Sequence, residues 1–302
     1  MFKKVMALCL ALCLSLSAGS ALAGKPYVAR IIVEDEISEY SYYYDHVGVL
    51  AALDELMEDE DNRALLLYLN TPGGSMYEVD ELYAKLMAYR ETTGRPVYAF
   101  AAQAALSGGM YVAMAADKFV AARMSDLGSI GVIYTLTSEA GLYEKLGIES
   151  YIVASGENKA FGWPELTDEQ RAFLQESVDE AFDVFVQIIC EARGLTREEV
   201  LAFADGRTFT ARKALEYGLI DAIMTYDEAV DDLYAANGLE NLPLVDYPIY
   251  DEEAWDEWDD MDWIQNEEDN LLDWIEERLT RGVRQDGLMA LAQPALREAV
   301  AR

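Results

Sequence analysis

Two glycine turns, each placed after an apolar run, constrain the fold of this 302-residue chain more than any other feature. The first run, residues 64–69, leads into a Pro-Gly-Gly turn at residues 72–74, and its unbroken apolar character fits a strand buried on both faces. The second run, residues 97–101, leads into Ser-Gly-Gly at residues 107–109. A helical pattern follows each turn, as is typical of a parallel α/β sheet. The sequence therefore predicts an α/β fold in which both turns lie at one edge of the sheet.

Similar patterns continue from residue 28 to about residue 224, and no fixed-period repeat is present. Capping-box spacing, Thr167 to Gln170 and Thr196 to Glu199, predicts where two further helices begin. The other predicted helices are residues 47–57, 77–89, 110–116 and 211–217, the last of which ends at Gly218. The other predicted strands are residues 28–33, 130–134 and 151–154.

The composition excludes several classes of protein. With 52% apolar residues the chain can bury enough surface to fold, which excludes disorder throughout. A formal net charge of −33 repels phosphate backbones, so we expect no nucleic-acid partner. Only three cysteines are present, and two of them, Cys9 and Cys13, lie near the N-terminus. Cys190 alone cannot form an intramolecular disulfide or a cysteine-rich zinc site, and we predict neither a cofactor nor a metal.

The N-terminal segment, residues 1–23, has the pattern of a secretory signal peptide. Lys3 and Lys4 precede an apolar run at residues 5–16, and Ala-Leu-Ala at residues 21–23 forms an A-x-A cleavage pattern. We expect an exported protein, periplasmic or otherwise extracytoplasmic, whose mature chain begins at Gly24. Two alternatives are a buried N-terminal helix and an uncleaved segment that anchors the protein to a membrane.

The C-terminal region, residues 226–302, differs in character from the central domain, residues 24–225. Residues 251–277 contain 14 acidic residues and no basic one, together with four of the five tryptophans. This extension is interpreted as partly helical or disordered. It is either a solvated charged tail or an acidic, aromatic docking segment for a basic partner. The spacing of a calcium-binding loop is absent.

Ser107 is the candidate nucleophile. A serine between a strand and a helix, followed by two glycines, presents its hydroxyl beside unpaired backbone N–H groups. The N–H groups of Gly74 and Gly108 can then face one point from two sides, as an oxyanion site requires. Taken alone, Ser-Gly-Gly is more commonly a tight turn that has no catalytic role.

A catalytic serine needs a base, and the inventory of basic side chains restricts the choice. His46 is the only histidine, and its position in a tyrosine-rich stretch favours a surface or structural role over a Ser-His-Asp triad. Among the lysines after Ser107, Lys159 is the best placed, because it follows a predicted strand within a turn. It must be uncharged to accept a proton, which burial without a carboxylate partner favours. Ser129 could orient the amine, or it could be an ordinary turn serine.

Taken together, these residues resemble the bacterial signal peptide peptidase A family. The similarity covers about residues 28–224, and the order and spacing of five motifs make it far more specific than any single one. The motifs are Asn70-Thr71-Pro72-Gly73-Gly74, Leu106-Ser107-Gly108-Gly109-Met110-Tyr111, Gly128-Ser129-Ile130-Gly131-Val132, Ser155-Gly156-Glu157-Asn158-Lys159 and Asp205-Gly206-Arg207-Thr208-Phe209.

The resemblance implies a fold similar to the Clp protease and crotonase superfamily, built from ββα units, and a Ser/Lys dyad. By motif, Ser107 resembles the nucleophile, Lys159 the general base, Gly74 and Gly108 the oxyanion donors, and Ser129 the lysine-orienting hydroxyl. Family members form rings in which the lysine comes from the same or an adjacent subunit. With one catalytic repeat, this chain resembles the short form, for which a neighbour's lysine is not needed in principle.

Two features depart from the family pattern. Thr71 stands where the family usually has serine, which is a mild change, and the acidic extension has no familiar counterpart. The leading hypothesis is an exported serine endopeptidase, a homo-oligomer that cleaves signal peptide remnants or other apolar peptides. The alternative is an inactive member that acts as a scaffold through its acidic tail. An acyl-CoA hydratase or isomerase is disfavoured by the export signal and by charge repulsion of CoA phosphates.

Overall fold

The computed structural model describes residues 24–163 and 165–247 of the chain. The predicted signal peptide and the tryptophan-rich stretch, residues 251–277, lie outside the described residues. The strands are β1 (Tyr27–Glu34), β2 (Asn62–Thr71), β3 (Val97–Leu106), β4 (Lys118–Ala121), β5 (Asp126–Gly128), β6 (Thr208–Thr210), β7 (Ala222–Ile223) and β8 (Leu244–Tyr247). The helices are α1 (His46–Glu58), α2 (Met76–Thr93), α3 (Gly108–Ala113), α4 (Ala140–Leu146), α5 (Asp168–Arg193), α6 (Arg197–Leu201), α7 (Ala211–Glu216) and α8 (Tyr226–Asn237), with a 3-10 turn at Glu157–Ala160.

All of these strands belong to one sheet, in which the order is β6-β5-β3-β2-β1-β8 and β4 bridges β3 and β7. Every pair is parallel except β5 with β6. Leu69 of β2 lies opposite Ala101 of β3, and Thr71 lies opposite Ala105. The two glycine turns therefore leave the same edge of the sheet, and the predicted α/β fold class is confirmed.

Hydrophobic cores cover both faces of the sheet. Leu65 and Leu67 of β2 belong to the larger core, to which α1, α2, α3 and α5 contribute, while Leu66 belongs to the smaller core on the other face. Leu233 of α8 closes the smaller core. The prediction that residues 64–69 form a strand buried on both faces is confirmed, because adjacent side chains of a strand point to opposite faces.

Both predicted capping boxes are present in the structure. The Thr167 side chain accepts from the Gln170 N–H at the start of α5, and the Thr196 side chain accepts from the Glu199 N–H at the start of α6. In each case the third helical residue reaches back to the capping backbone N–H. These reciprocal bonds satisfy N–H groups that a helix start otherwise leaves unpaired.

The folded unit continues past the boundary placed at residue 225 from the sequence. In α8, Ala229 and Leu233 are buried against the sheet, and β8 pairs with β1. Arg30 of β1 also forms an ion pair with Asp246 of β8 at 2.6 Å. The helix α8 has a narrow apolar stripe among many acidic residues. Composition alone therefore assigned α8 to the acidic extension.

Residues 133–163, here called the arm, differ from the expectation. The predictions of strands at residues 130–134 and 151–154 are wrong, because neither segment forms a ladder with another strand. Ile133 is 88% exposed and Val153 is fully exposed. An apolar run forms a strand only where a second backbone satisfies its N–H and C=O groups, and the described part of the chain offers none here.

Candidate active site

The Pro-Gly-Gly turn after β2 contacts the Ser-Gly-Gly turn after β3. Gly73 has a φ of +101°, and a Cβ at this position would lie 2.7 Å from the Gly108 N and 2.8 Å from the Ser107 Cβ. Only glycine takes this left-handed conformation without strain and leaves room for the neighbouring turn. Gly73 is therefore what lets the two turns approach each other.

Ser107 lies between β3 and α3 in an unusual backbone conformation, with φ 48° and ψ −113°. Its N–H donates to the Gly128 carbonyl at 2.8 Å, and its carbonyl accepts from the Tyr111 N–H at 3.1 Å. A non-glycine residue held in this region stores about 1–3 kcal/mol of strain, which persists only when the surroundings fix it. A strained serine between a strand and a helix is the arrangement that exposes a nucleophilic hydroxyl in hydrolases.

The backbone N–H groups of Gly74 and Gly108 form the second part of the site. A Cβ at Gly108 would lie 3.2 Å from the Gly74 N, so the two peptide groups are in contact. Within the described residues, neither N–H has a hydrogen-bond acceptor. Two unpaired donors side by side, next to a serine, are suited to stabilise an oxygen on which negative charge develops.

Ser129 is a second serine with positive φ, 52°, and it lines the same cleft as Ser107. Gly128, which precedes it, has a φ of +99° and is in contact with Phe209. The Ser129 N–H donates to the Arg207 carbonyl at 2.8 Å. The Gly128 peptide thus links both serines, because its carbonyl accepts from Ser107 and its C-terminal neighbour is Ser129.

Gly74, Ser107 and Ser129 line a cleft of about 700 Å³ at the carboxyl edge of the sheet. The start of the arm forms one side, and α5 forms another through Val178 and Phe182. Within the described residues the lining contains acidic side chains, Glu36 and Asp179 among them, but no lysine or arginine. Its apolar side chains come from Ile130, Val132, Ile133, Val178, Phe182 and Ala204.

The structure does not bring Lys159 into this cleft. Lys159 lies on the 3-10 turn of the arm, where its N–H donates to the Gly156 carbonyl at 3.0 Å, and its side chain is exposed. It is not among the residues that line the cleft. Of the five residues proposed from the sequence, Gly74, Ser107 and Ser129 therefore line one cleft in a single chain, Gly108 adjoins Gly74, and Lys159 lies elsewhere.

Three of the competing bases, His46, Lys118 and Lys213, have other partners. The buried His46 side chain contacts the Tyr44 hydroxyl at 3.0 Å and Glu81 at 2.9 Å, and it does not line the cleft. Lys118 pairs with Asp232 at 2.6 Å, and Lys213 is paired with a glutamate of its own helix. No group of three or more His, Cys, Asp or Glu side chains in the described part of the chain is arranged to hold a metal ion.

Sequence reasoning missed one segment of the site, the residues that follow β1. Glu36 lines the cleft, and Ile37 forms a parallel bridge with Gly74. The position of this segment directly after a predicted strand was a usable signal, because the carboxyl ends of adjacent parallel strands lie at one edge of a sheet. In the structure β1 pairs with β2, and Glu34 lies opposite Asn70. Without knowing that β1 is the neighbour of β2, however, the sequence cannot place Ile37 beside Gly74.

Comparison with known proteins gives a consistent result. A family model described as Peptidase family S49 matches residues 90–240. A putative signal peptide peptidase SppA from Enterococcus faecium is 34% identical over 206 residues, which are 68% of this chain and 60% of that protein. A putative protease from Synechocystis is 36% identical over 205 residues, 67% of this chain and 71% of that protein.

A third relative, a chloroplastic serine protease SPPA from Arabidopsis thaliana, is 30% identical over 190 residues. The match covers 62% of this chain but 27% of that protein. The chain thus matches less than two thirds of the Enterococcus and Arabidopsis proteins. The α/β sheet with its glycine turns agrees with the Clp protease and crotonase-like fold implied by the sequence.

Proposed function

Because the chain belongs to peptidase family S49, we propose that it is an exported serine endopeptidase in which Ser107 is the nucleophile and Lys159 the general base. The observation that carries the proposal is the strained Ser107 turn beside the unpaired N–H groups of Gly74 and Gly108. Acyl transfer needs a nucleophile beside donors for the developing oxyanion, and backbone strain of this kind clusters at functional sites.

The reaction follows from these positions. The Ser107 Oγ gives its proton to the neutral Lys159 Nζ and bonds to the scissile carbonyl carbon. The carbonyl oxygen takes up the negative charge and accepts hydrogen bonds from the Gly74 and Gly108 N–H groups. When the intermediate collapses, the C–N bond breaks and the protonated lysine gives its proton to the leaving amine. Water then hydrolyses the acyl-enzyme, with the lysine again acting as base.

The exposure of Lys159 in one chain supports a site completed by assembly. An amine in water is charged and cannot act as a base, so something must cover it. The arm that carries Lys159 exposes a series of large apolar side chains, and exposed patches of this kind mark interaction sites. The most exposed of them are Ile133 at 88%, Tyr151 at 84% and Val153 at 100%.

We therefore assign the arm to contact with a second copy of the chain, where its Lys159 reaches the neighbour's cleft. The neighbour's Ser107 would then receive the base, and the neighbour's Ser129 hydroxyl would orient the amine. Burial between two copies excludes water and favours the neutral amine. The two apolar segments of the arm that form no strand in one chain would gain backbone partners in the same step.

The cleft supports a preference for apolar peptides. Its lining is apolar around Phe182 and Ile133, and a peptide with small or apolar side chains near the scissile bond would bury them there. Signal peptide remnants, the substrates implied by the family resemblance, have this character. The signal-like pattern of residues 1–23 supports export. Cleavage would release the mature chain, and retention of the segment would anchor it to a membrane. No helix in the described ranges is both long and apolar enough to cross a membrane.

Labelling with a fluorophosphonate tests the proposal, because the probe bonds covalently only to an activated serine. We expect labelling of the wild-type oligomer at Ser107, none in Ser107→Ala, and hydrolysis of an apolar reporter peptide that both Ser107→Ala and Lys159→Ala abolish. Ser177→Ala, an exposed serine of α5, is the matched control and keeps full activity. An unlabelled but folded wild type would instead indicate the inactive scaffold.

A further inference from the structure

The segment that follows β1, residues 35–46, is here called the brace, and it holds the turn that carries Gly74. The Ile37 N–H donates to the Gly73 carbonyl at 2.9 Å, and the Ser75 N–H donates to the Ile37 carbonyl at 3.0 Å. A Cβ at Gly74 would lie 2.0 Å from the Ile37 oxygen, so the two backbones are in close contact. The direction of the Gly74 N–H therefore depends on the position of the brace.

Glu78, in the first turn of α2, joins this turn to the brace. Its carboxylate accepts a hydrogen bond from the Ser75 hydroxyl, and the residue is only 9% exposed. The Ser75 hydroxyl lowers the pKa of Glu78 most, against the effect of burial, and the backbone N–H groups of Glu78 and Glu39 lower it further. The carboxylate thus fixes Ser75, whose own N–H donates to the Ile37 carbonyl of the brace.

The far end of the brace is attached to the same helix. The His46 Nε2 lies 2.9 Å from a Glu81 oxygen, and Glu81 is one helical turn beyond Glu78 on α2. The His46 Nδ1 lies 3.0 Å from the Tyr44 hydroxyl, and the imidazole is 2% exposed. Within the brace, the Ser41 hydroxyl donates to Asp35 at 3.1 Å. The brace is therefore fixed to α2 at two points and closed on itself between them.

We propose that Glu78 and His46 are positioning residues for the oxyanion site: through the brace they hold the Gly74 N–H beside the Gly108 N–H. This inference rests on the proposed function of the same site. An oxyanion donor acts only when it lies about 2.7–3.1 Å from the charged oxygen. A small displacement of the turn therefore weakens binding of the transition state more than binding of the substrate. A misplacement of about 1 Å can lower the rate about 100-fold.

Substitution of Glu78 separates positioning from general stability. Glu78→Ala removes the acceptor for the Ser75 hydroxyl, whereas Glu78→Gln keeps an acceptor oxygen. We expect Glu78→Ala to lower kcat about 10- to 100-fold with KM within about twofold, since only the transition-state interaction is lost. Glu78→Gln should recover most of the rate. Glu91→Ala, an exposed glutamate of the same helix, is the matched control with unchanged kinetics.

Inhibitor binding provides a second readout. A peptide boronic acid forms a tetrahedral adduct with the serine and places an oxygen between the two N–H groups, whereas a product peptide makes no such contact. We expect Glu78→Ala to weaken boronate binding about 10-fold or more and to leave product binding within about twofold. Equal weakening of both ligands, or an unchanged kcat, overturns the inference.

The outcomes distinguish this inference from the proposed function. A wild-type protein without turnover and without fluorophosphonate labelling contradicts the function itself, whatever the variants do. If Glu78→Ala does not fold, Tyr44→Phe removes a single hydroxyl at the other end of the brace. We then expect a kcat lowered about threefold at constant KM, as for the loss of one hydrogen bond. A wild-type kcat in Tyr44→Phe would reject the brace.

Discussion

The glycine turns and the arm contribute to the same candidate site in opposite ways. The turns are buried, glycine-packed and held by backbone hydrogen bonds at Ser107 and Ser129. The arm carries Lys159 on an exposed 3-10 turn and presents Val153 entirely to solvent. One region has its geometry fixed by backbone contacts, whereas the other has apolar surface that none of residues 24–163 and 165–247 covers.

This difference shows that the nucleophile with its oxyanion donors and the proposed base depend on different parts of the structure. Positions of the nucleophile and oxyanion donors depend on close backbone contacts, such as Gly73 with Gly108. The charge state of the base depends on the solvent around it, which only a covering surface can change. The turns can therefore be complete in a chain whose Lys159 lies outside the cleft.

Mixing two inactive variants tests this division most strongly. We expect Ser107→Ala and Lys159→Ala to lose at least about 10³-fold in kcat when each is assayed alone. Co-assembled in equal amounts, they should regain about a quarter of the wild-type rate, because one site in four then combines an intact serine with a neighbour's lysine. The measurement is peptide turnover after joint refolding. No recovery would show that the dyad forms within one chain.

Gly73→Ala tests the contact between the two glycine turns. Its Cβ would lie 2.7 Å from the Gly108 N and would occupy a φ of +101°, so the two turns must separate. We expect kcat to fall about 10²- to 10³-fold, as for the loss of an oxyanion donor.

The matched control is Gly94→Ala, at the end of α2. There φ is +64° and no atom lies within 4 Å of the added Cβ. This variant should lose about 1 kcal/mol of stability and no activity, as judged by thermal unfolding and peptide turnover. Similar activity losses in both glycine variants would contradict a special role for the contact between the turns.

Val153→Asp tests whether the arm contacts a second copy of the chain. A charge on a fully exposed side chain hardly affects a monomer, but it opposes an apolar contact between copies. We expect a shift to smaller particles in sedimentation velocity, and about a tenfold loss of turnover at fixed protein concentration. Met124→Asp, exposed to 87% and outside the arm, is the control. An unchanged particle size in Val153→Asp would show that the arm is not the interface.

Ser129→Ala should have the smallest effect, because it removes one hydrogen bond to the amine and leaves the turns in place. We expect kcat to fall about tenfold or less at constant KM. The positive φ of 52° at Ser129 strains alanine as much as serine, so thermal stability should change little. A stability loss without a kinetic effect would identify Ser129 as an ordinary turn residue.

Much of the site could be predicted because its signals lie in consecutive residues. The Ser107 and Gly73 turns are visible as glycines after apolar runs, and the parallel pairing of β2 with β3 places them together. The brace could not be predicted in the same way, because Ile37 meets Gly74 only through the pairing of β1 with β2. Likewise, α8 was assigned to the acidic extension, although Leu233 is buried in the core.

The sequence by itself determined the alternation of strands and helices and both capping boxes, and it proposed which side chains could react, since these depend on local periodicity and on residue chemistry. Only the tertiary structure decided which segments touch the glycine turns, and that the lysine of the arm lies outside the cleft of its own chain. The physical reason is that contacts between distant residues are selected by packing of the whole sheet, which no short stretch of residues specifies.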